Sequence, residues 1–344
     1  MRCPRPLEAL VLVLVAGPAW GPAWGMVEDC RRLELVDGAT GARIVGVEDL
    51  RIAADGRTAY LSAHDRRAVP PTDGAIHPLD LERLDHRPDR LEVASWRPEP
   101  PTPGGFRPLG IALDPAGDLL AINRRVMDDD RIVPTIDRLE LHAGGLNEVA
   151  SLQVPGLCQP NALFVLADGR VLVSNDRAAC EPWRLRLETW LGRATGSVLE
   201  LAGATAEPLI SGLAHANGIA ALGRDLWFAE TRGRRVTVFR PFGLDLAASY
   251  GLDFAPDNLT VDERGRLWTA GPASLLAYAA FIAEWPFFAR TRSRVAVIDD
   301  GEVTSVLDDD GTLISGATVA AAGGGWLLIG AAYDDAIAYC RLVG

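Results

Sequence analysis

The sequence predicts an all-β fold, a six-bladed β-propeller, from three observations. A two-strand pattern around a glycine turn recurs six times, the turns are spread along the whole chain, and no linker tract separates the copies. The copies read LRIAADGRTAYLSA, GIALDPAGDLLAIN, NALFVLADGRVLVSN, NGIAALGRDLWFAE, NLTVDERGRLWTAG and ATVAAAGGGWLLIG. Their turn glycines are Gly56, Gly117, Gly169, Gly223, Gly265 and Gly324, spaced 61, 52, 54, 42 and 59 residues apart. Alternating apolar residues interrupted by Asp-Gly, Ala-Gly or Arg-Gly are hairpin signals. The stretches RLELHA, GSVLELA, RRVTVFR and RVAVIDD supply further strands. About four strands per 50-odd residues, repeated around a ring, describes a propeller; a sandwich has no need of six copies of one turn. Residues 182–193 (PWRLRLETWLGR) and 274–290 break the pattern with helical character, the second interrupted at Pro286. They are expected as short helical insertions on one face.

The ends of the chain fix its context. Arg2 and Arg5 precede an apolar run over residues 9–16, followed by small-residue sites at Ala19-Trp20-Gly21 and Ala23-Trp24-Gly25. Residues 1–25 therefore read as a secretory signal peptide, too short to span a membrane, with residues 26–344 as a single propeller domain. The expectation is an exported protein, secreted or periplasmic. The 344-residue chain carries a net charge of -12 and no lysine, all 34 basic residues being arginine. That field disfavours nucleic acid, and the missing lysine excludes Schiff-base and P-loop chemistry. With Cys3 in the leader, four cysteines remain. An even count in an exported chain favours disulfides. Cys30 and Cys340 flank the ring and are placed to staple its closure, which contributes roughly 4–5 kcal/mol in the chain-entropy model. Cys158 and Cys180 are either a second disulfide or two buried thiols.

In a propeller the innermost strand of each blade starts near the central channel. The equivalent positions, six to eight residues before each turn glycine, are Glu48, Leu109, Asn161, Asn217, Asn258 and Thr318, and Asp257 adjoins Asn258. The flanking sequence is apolar, so these polar groups would be buried unless something satisfies them. Two carboxylates and three amide carbonyls form an oxygen-only set suited to Ca²⁺, and the absence of His and Cys argues against zinc or copper.

These residues carry a resemblance. Val47-Glu48-Asp49-Leu50, Pro160-Asn161, Ala216-Asn217-Gly218-Ile219, Asp257-Asn258 and the C-terminal stretch from Gly316-Ala317-Thr318 to Tyr339-Cys340 are similar to the paraoxonase/arylesterase family of calcium-dependent lactonases. Gluconolactonase and regucalcin propellers are more distant relatives. The resemblance implies Glu48, Asn161, Asn217, Asp257 and Asn258 as ligands of a catalytic calcium, and Cys30–Cys340 as the ring-closing disulfide. It also implies a second, structural calcium held by two aspartates and a backbone carbonyl. Asp49 matches one aspartate, but Ala162 stands at the other. The family's histidine dyad is replaced by Leu109 and Arg124. The expected activity is hydrolysis of small-molecule lactones or aryl esters, with Asp257 as base or nucleophile and His215 as proton shuttle. His215 is two residues before Asn217, on one face if the strand is extended. The rival expectation is a non-catalytic calcium-binding scaffold whose face binds a protein partner.

Overall fold

The computed structural model describes residues 25–129, 131–240 and 245–343. The expected signal peptide, residues 1–25, lies outside them save for Gly25. The chain starts with β1 (Val27–Asp37), β2 (Val47–Ile52), β3 (Thr58–Ala63), β4 (Ala75–Asp80) and β5 (Arg90–Val93). Four antiparallel four-stranded sheets follow, each strand pairing with the next. The first two are β6 (Pro108–Leu113), β7 (Leu119–Val126), β8 (Ile132–His142), β9 (Gly145–Leu152), then β10 (Pro160–Val165), β11 (Val171–Asn175), β12 (Gly196–Ala202), β13 (Thr205–Leu213). The other two are β14 (Ala216–Leu222), β15 (Asp225–Glu230), β16 (Arg235–Arg240), β17 (Asp245–Gly251), then β18 (Leu259–Val261), β19 (Leu267–Pro272), β20 (Ser293–Asp299), β21 (Glu302–Asp309). The chain ends with β22 (Ala317–Gly323), β23 (Trp326–Ala331) and β24 (Ile337–Leu342).

The ends of the chain meet. β24 pairs antiparallel with β1, and β5 runs parallel to the last four residues of β1. The single register pair Val47↔Ala331 joins these strands to β2, β3 and β4 in one eight-stranded sheet. The strands β2, β6, β10, β14, β18 and β22 touch in cyclic order, with β22 returning to β2, so they surround a common axis. The fold is all-β and propeller-like. The six turn glycines all sit at positive φ between the first two strands of their units, as the turns require.

Apolar alternation along the strands leaves six buried clusters among the described residues, five shared by two neighbouring sheets and one inside the eight-stranded sheet, between β2–β4 and the strands of the chain's two ends. Leu50, Leu61, Val319 and Tyr339 pack in one, and Trp268, Val297 and Ile329 in the next. Phe228, Ile219 and Leu172 build another. Sheet-to-sheet burial of this kind fixes how far each inner strand stands from the axis.

Both disulfides form, Cys30–Cys340 and Cys158–Cys180. α1 (Pro182–Leu191) starts with Pro182 in its first turn and ends at Gly192 in the left-handed region. α2 (Leu275–Ile282) is capped by Ser274 Oγ, which accepts from the Ala277 amide. The second helix is shorter than the sequence suggests, because residues 283–290 turn before Pro286 is reached. Each helix connects the second and third strands of its sheet, so both emerge at the end where the inner strands begin. No described helix is long and apolar enough to cross a membrane.

Candidate metal centre and its surroundings

Five inner strands are irregular at the same point. Register slips at Val47/Asp49, Pro108/Ile111, Pro160/Leu163, Ala216/Ile219 and Ala317/Val319, so the second residue of each strand leaves the regular ladder. Bulges of this type re-aim a side chain. The displaced residues are Glu48, Leu109, Asn161, Asn217 and Thr318, and Asn258 immediately precedes β18. Close approach of the strands is possible because glycines follow two of these positions. A Cβ on Gly218 would stand 2.4 Å from the Leu259 amide nitrogen and 2.6 Å from the Asp257 carbonyl. One on Gly110 would stand 2.2 Å from the Asn161 carbonyl.

Hydrogen bonds knit part of the ring. Asn258 Nδ2 donates to the Glu48 carbonyl (3.2 Å) and to Glu48 Oε1 (3.3 Å), and the Thr318 hydroxyl donates to the same carbonyl (2.7 Å). Gly218 N donates to the Asp257 carbonyl (3.0 Å), and Asn258 N to that of Thr318 (2.9 Å). Asn217 donates from Nδ2 to Thr231 Oγ1 (3.3 Å), and its side chain is close enough to Asp257 to favour the charged carboxylate. Asn161 holds the equivalent place on β10, and its strand is tied to the following loop by Cys158–Cys180 and by Asp176 N donating to the Gln159 carbonyl (2.9 Å).

What these bonds leave over is more informative. Glu48 Oε2, Asn161 Oδ1, Asn217 Oδ1, Asp257 Oδ1 and Asn258 Oδ1 are all buried without a hydrogen-bond partner. Orphaned buried oxygens are rare, and here every expected ligand has one. Burial pushes Glu48 up to about 7, opposed by Arg66 and reinforced by Asp49. Burial, then the Glu48 and Asp176 charges, hold Asp257 well above the ordinary carboxylate range. Two carboxylates and three carbonyl oxygens with no donor to share suit a hard divalent cation, and Ca²⁺ takes six to eight such ligands. Among the described residues, no group of three or more His, Cys, Asp or Glu side chains could hold a metal, in keeping with an amide-rich set.

His215 departs from the expectation drawn for it. It sits before β14 with φ 65°, in the left-handed region, so the extended-strand argument for a shared face with Asn217 fails. Its carbonyl accepts from the Thr231 amide (3.1 Å), which holds this turn. The ring still reaches the site by another route: Nε2 lies 3.4 Å from Asp176 Oδ2. Burial lowers its pKa, with Asp176 opposing, and Nδ1 is buried without a partner. Asp176, whose charge bears on Asp257, is the residue the sequence reading missed. It follows β11, and comparing the exits of the second strands as well as the starts of the first would have found it.

The two positions of the family dyad are occupied differently. Leu109 is buried with Ile122, Val154 and Leu163. The Arg124 charge bears on Glu48 and on His64, a residue that burial, Arg66 and Arg124 depress to about 3. Asp49 is fully buried. Its Oδ1 accepts from Leu50 N (2.9 Å), and its Oδ2 accepts from Ile111 N (2.8 Å) and faces Arg51 Nη2 (3.1 Å).

An arylesterase family model matches residues 161–342, a little over half of the chain. The human and mouse proteins named serum paraoxonase/arylesterase 1 are 25% and 23% identical over 312 residues, covering 86% of this chain and 86% of each relative. Among solved structures, a gluconolactonase from Xanthomonas campestris superposes with TM-score 0.55 at 18% identity, covering 94% of this chain and 98% of that one. A putative gluconolactonase gives TM-score 0.54 at 15% identity, covering 94% of each. These two likenesses concern the fold.

Proposed function

Because the chain belongs to the arylesterase family, we propose that it is an exported, calcium-dependent hydrolase of lactones or aryl esters, built as one six-bladed domain over residues 26–344. The observation that carries the reading is the set of five orphaned oxygens on Glu48, Asn161, Asn217, Asp257 and Asn258. The six-blade count is supported by the cyclic contact of the inner strands and the six buried clusters. Export is supported by two disulfides.

Glu48, Asn161, Asn217, Asp257 and Asn258 would hold the calcium. A cation held there would supply positive charge able to polarise a carbonyl and to offset charge developing on its oxygen. Ionised once a cation offsets the burial that raises its pKa, Asp257 would take the proton of a water whose oxygen bonds to the acyl carbon as the C–O bond to the leaving alcohol breaks, or would attack that carbon itself, expelling the same alcohol and leaving an acyl-enzyme for water to hydrolyse. Asp176 fixes the His215 ring through Nε2, leaving Nδ1 as the nitrogen that exchanges a proton with the reacting group. The buried ring is neutral near pH 7, as a proton acceptor must be.

The test is hydrolysis of a lactone panel and phenyl acetate, with calcium and with chelator, by the wild type and Asp257→Asn. Turnover that needs calcium and is lost in the variant supports the proposal. Tight calcium binding with no turnover on any substrate sinks it in favour of a non-catalytic calcium-binding scaffold. The observation favouring that second reading is the apolar packing of Leu109 where the family carries a histidine.

A further inference from the structure

Arg51 lies in the channel between the candidate centre and the far mouth. It sits three residues along β2 from Glu48, next to Ile52, which lines a cavity at the opposite end with Leu113, Phe164 and Leu226. Its guanidinium donates from Nε to the Ile111 carbonyl (3.0 Å), and from Nη1 to those of Leu259 (3.2 Å) and Leu50 (3.4 Å). Nη2 faces the fully buried carboxylate of Asp49 at 3.1 Å. These contacts join β2, β6 and β18. Strand β22 separates β2 from β18 in the ring, so the side chain reaches across the channel.

We propose that the Arg51 guanidinium is a tethered cation standing where a second metal would otherwise bind, and that the chain consequently takes up no more than one calcium. The residues around Asp49 do not fit a second ion. Both Asp49 oxygens are already engaged, by two main-chain amides and by Arg51. The Ile111 carbonyl, a natural cation ligand beside Asp49, accepts from Arg51 instead. Charge balance agrees. One carboxylate with one guanidinium is neutral, whereas one carboxylate with a divalent ion would leave a buried positive charge. With Ala162 where the resemblance implies a second aspartate, the buried carboxylate here is one, and one guanidinium balances it. Arg51 also acts where an ion would, bonding carbonyls of β2, β6 and β18 at once.

The proposal takes from the calcium reading only the ion at the candidate centre, and the experiment separates the two. Chelator-stripped chain is titrated with calcium by calorimetry, and thermal unfolding is followed with and without the ion. The wild type should bind no more than one calcium; two per chain overturns the proposal. Zero would count against the calcium-dependent hydrolase and leave Arg51 to be judged by its variants. In chelator, Arg51→Met should lower Tm by about 5–10 °C, as for loss of one partner of a buried ion pair. A change under about 2 °C overturns the proposal. The double variant Arg51→Met, Ala162→Asp should bind one calcium more than the wild type and regain Tm when calcium is added. No gain in stoichiometry overturns it. If these variants do not fold, Arg51→Lys serves, keeping the charge without the span to both Ile111 and Leu259. It should show a smaller fall in Tm, and a Tm equal to the wild type overturns the proposal.

Discussion

His77 is buried on β4, and its Nδ1 lies 3.1 Å from the Ala94 carbonyl, an oxygen to which it can only donate. Burial lowers its pKa to about 4, with the Ala94 bond opposing. The sign follows from proton counting. Between pH 6.5 and 4 the unfolded chain binds a proton that the folded chain refuses, so stability is full above 6.5 and falls as the pH drops towards 4. The shift corresponds to about 3 kcal/mol. Urea unfolding at pH 7 and pH 5 should show about 2 kcal/mol of this loss, and His77→Gln should flatten it; an unaltered pH slope in the variant would refute the assignment. At the candidate centre, the proposed proton-transfer role predicts that His215→Gln lowers kcat by about 100-fold with calcium affinity kept, the size of a general acid–base contribution. Asp176→Asn should act through the ring, reducing kcat less and moving the acid limb of the pH profile, whereas a purely structural role would leave that limb in place. Glu48, Asn161, Asn217 and Asn258 were legible in the sequence because one strand position repeats around a ring. Arg51 was not, since its partners, the Ile111 and Leu259 carbonyls, come from strands distant in the chain, and Asp176 was passed over because it lies at the exit of a second strand rather than at the start of a first.

Inner strands are the elements that set the site, and their glycines are its tightest dimensions. At Gly218 the obstacles to a side chain are main-chain atoms of Asp257, Asn258 and Leu259, which cannot swing aside. Gly218→Ala should therefore push β14 away from the Asp257–Asn258 segment. Overpacking of this kind costs about 1–3 kcal/mol, and calcium affinity should fall with it. Calorimetric titration beside thermal unfolding checks both; full calcium affinity in a folded variant would refute the close-approach argument. Hairpins were readable because each turn glycine needs positive φ and stands between alternating strands. The bulges were not, because no residue type marks them: Val47, Pro108, Pro160, Ala216 and Ala317 open five similar slips with differing sequences. The second helix was overread for a related reason. Apolar residues continue past Ile282, yet Trp285 and Phe287 are exposed beyond the helix.

For the whole molecule, closure is made twice. Cys30–Cys340 joins the two ends covalently, and β1 pairs with β24 around the same bond. Removing the disulfide by Cys30→Ser with Cys340→Ser should lower stability by about 5 kcal/mol in the chain-entropy model. The strand pairing should keep the ring assembled, so far-ultraviolet circular dichroism at 25 °C should match the wild type; a largely unfolded double variant would show that pairing alone does not hold it. The repeat made the ring readable, and the cysteine positions made its seam readable. The seam also orders events in time. The strand that seals the ring is the first to be synthesised, and its partner is among the last. At about 5–20 residues per second, some 310 residues separate them by roughly 15–60 s of synthesis. During that wait β5, only some fifty residues behind, can already pair with residues 34–37 of β1, while residues 27–33 keep an edge open until β24 is made. Residues 27–33, which include the cysteine of the seam, are thus the part of the ring whose partner arrives last.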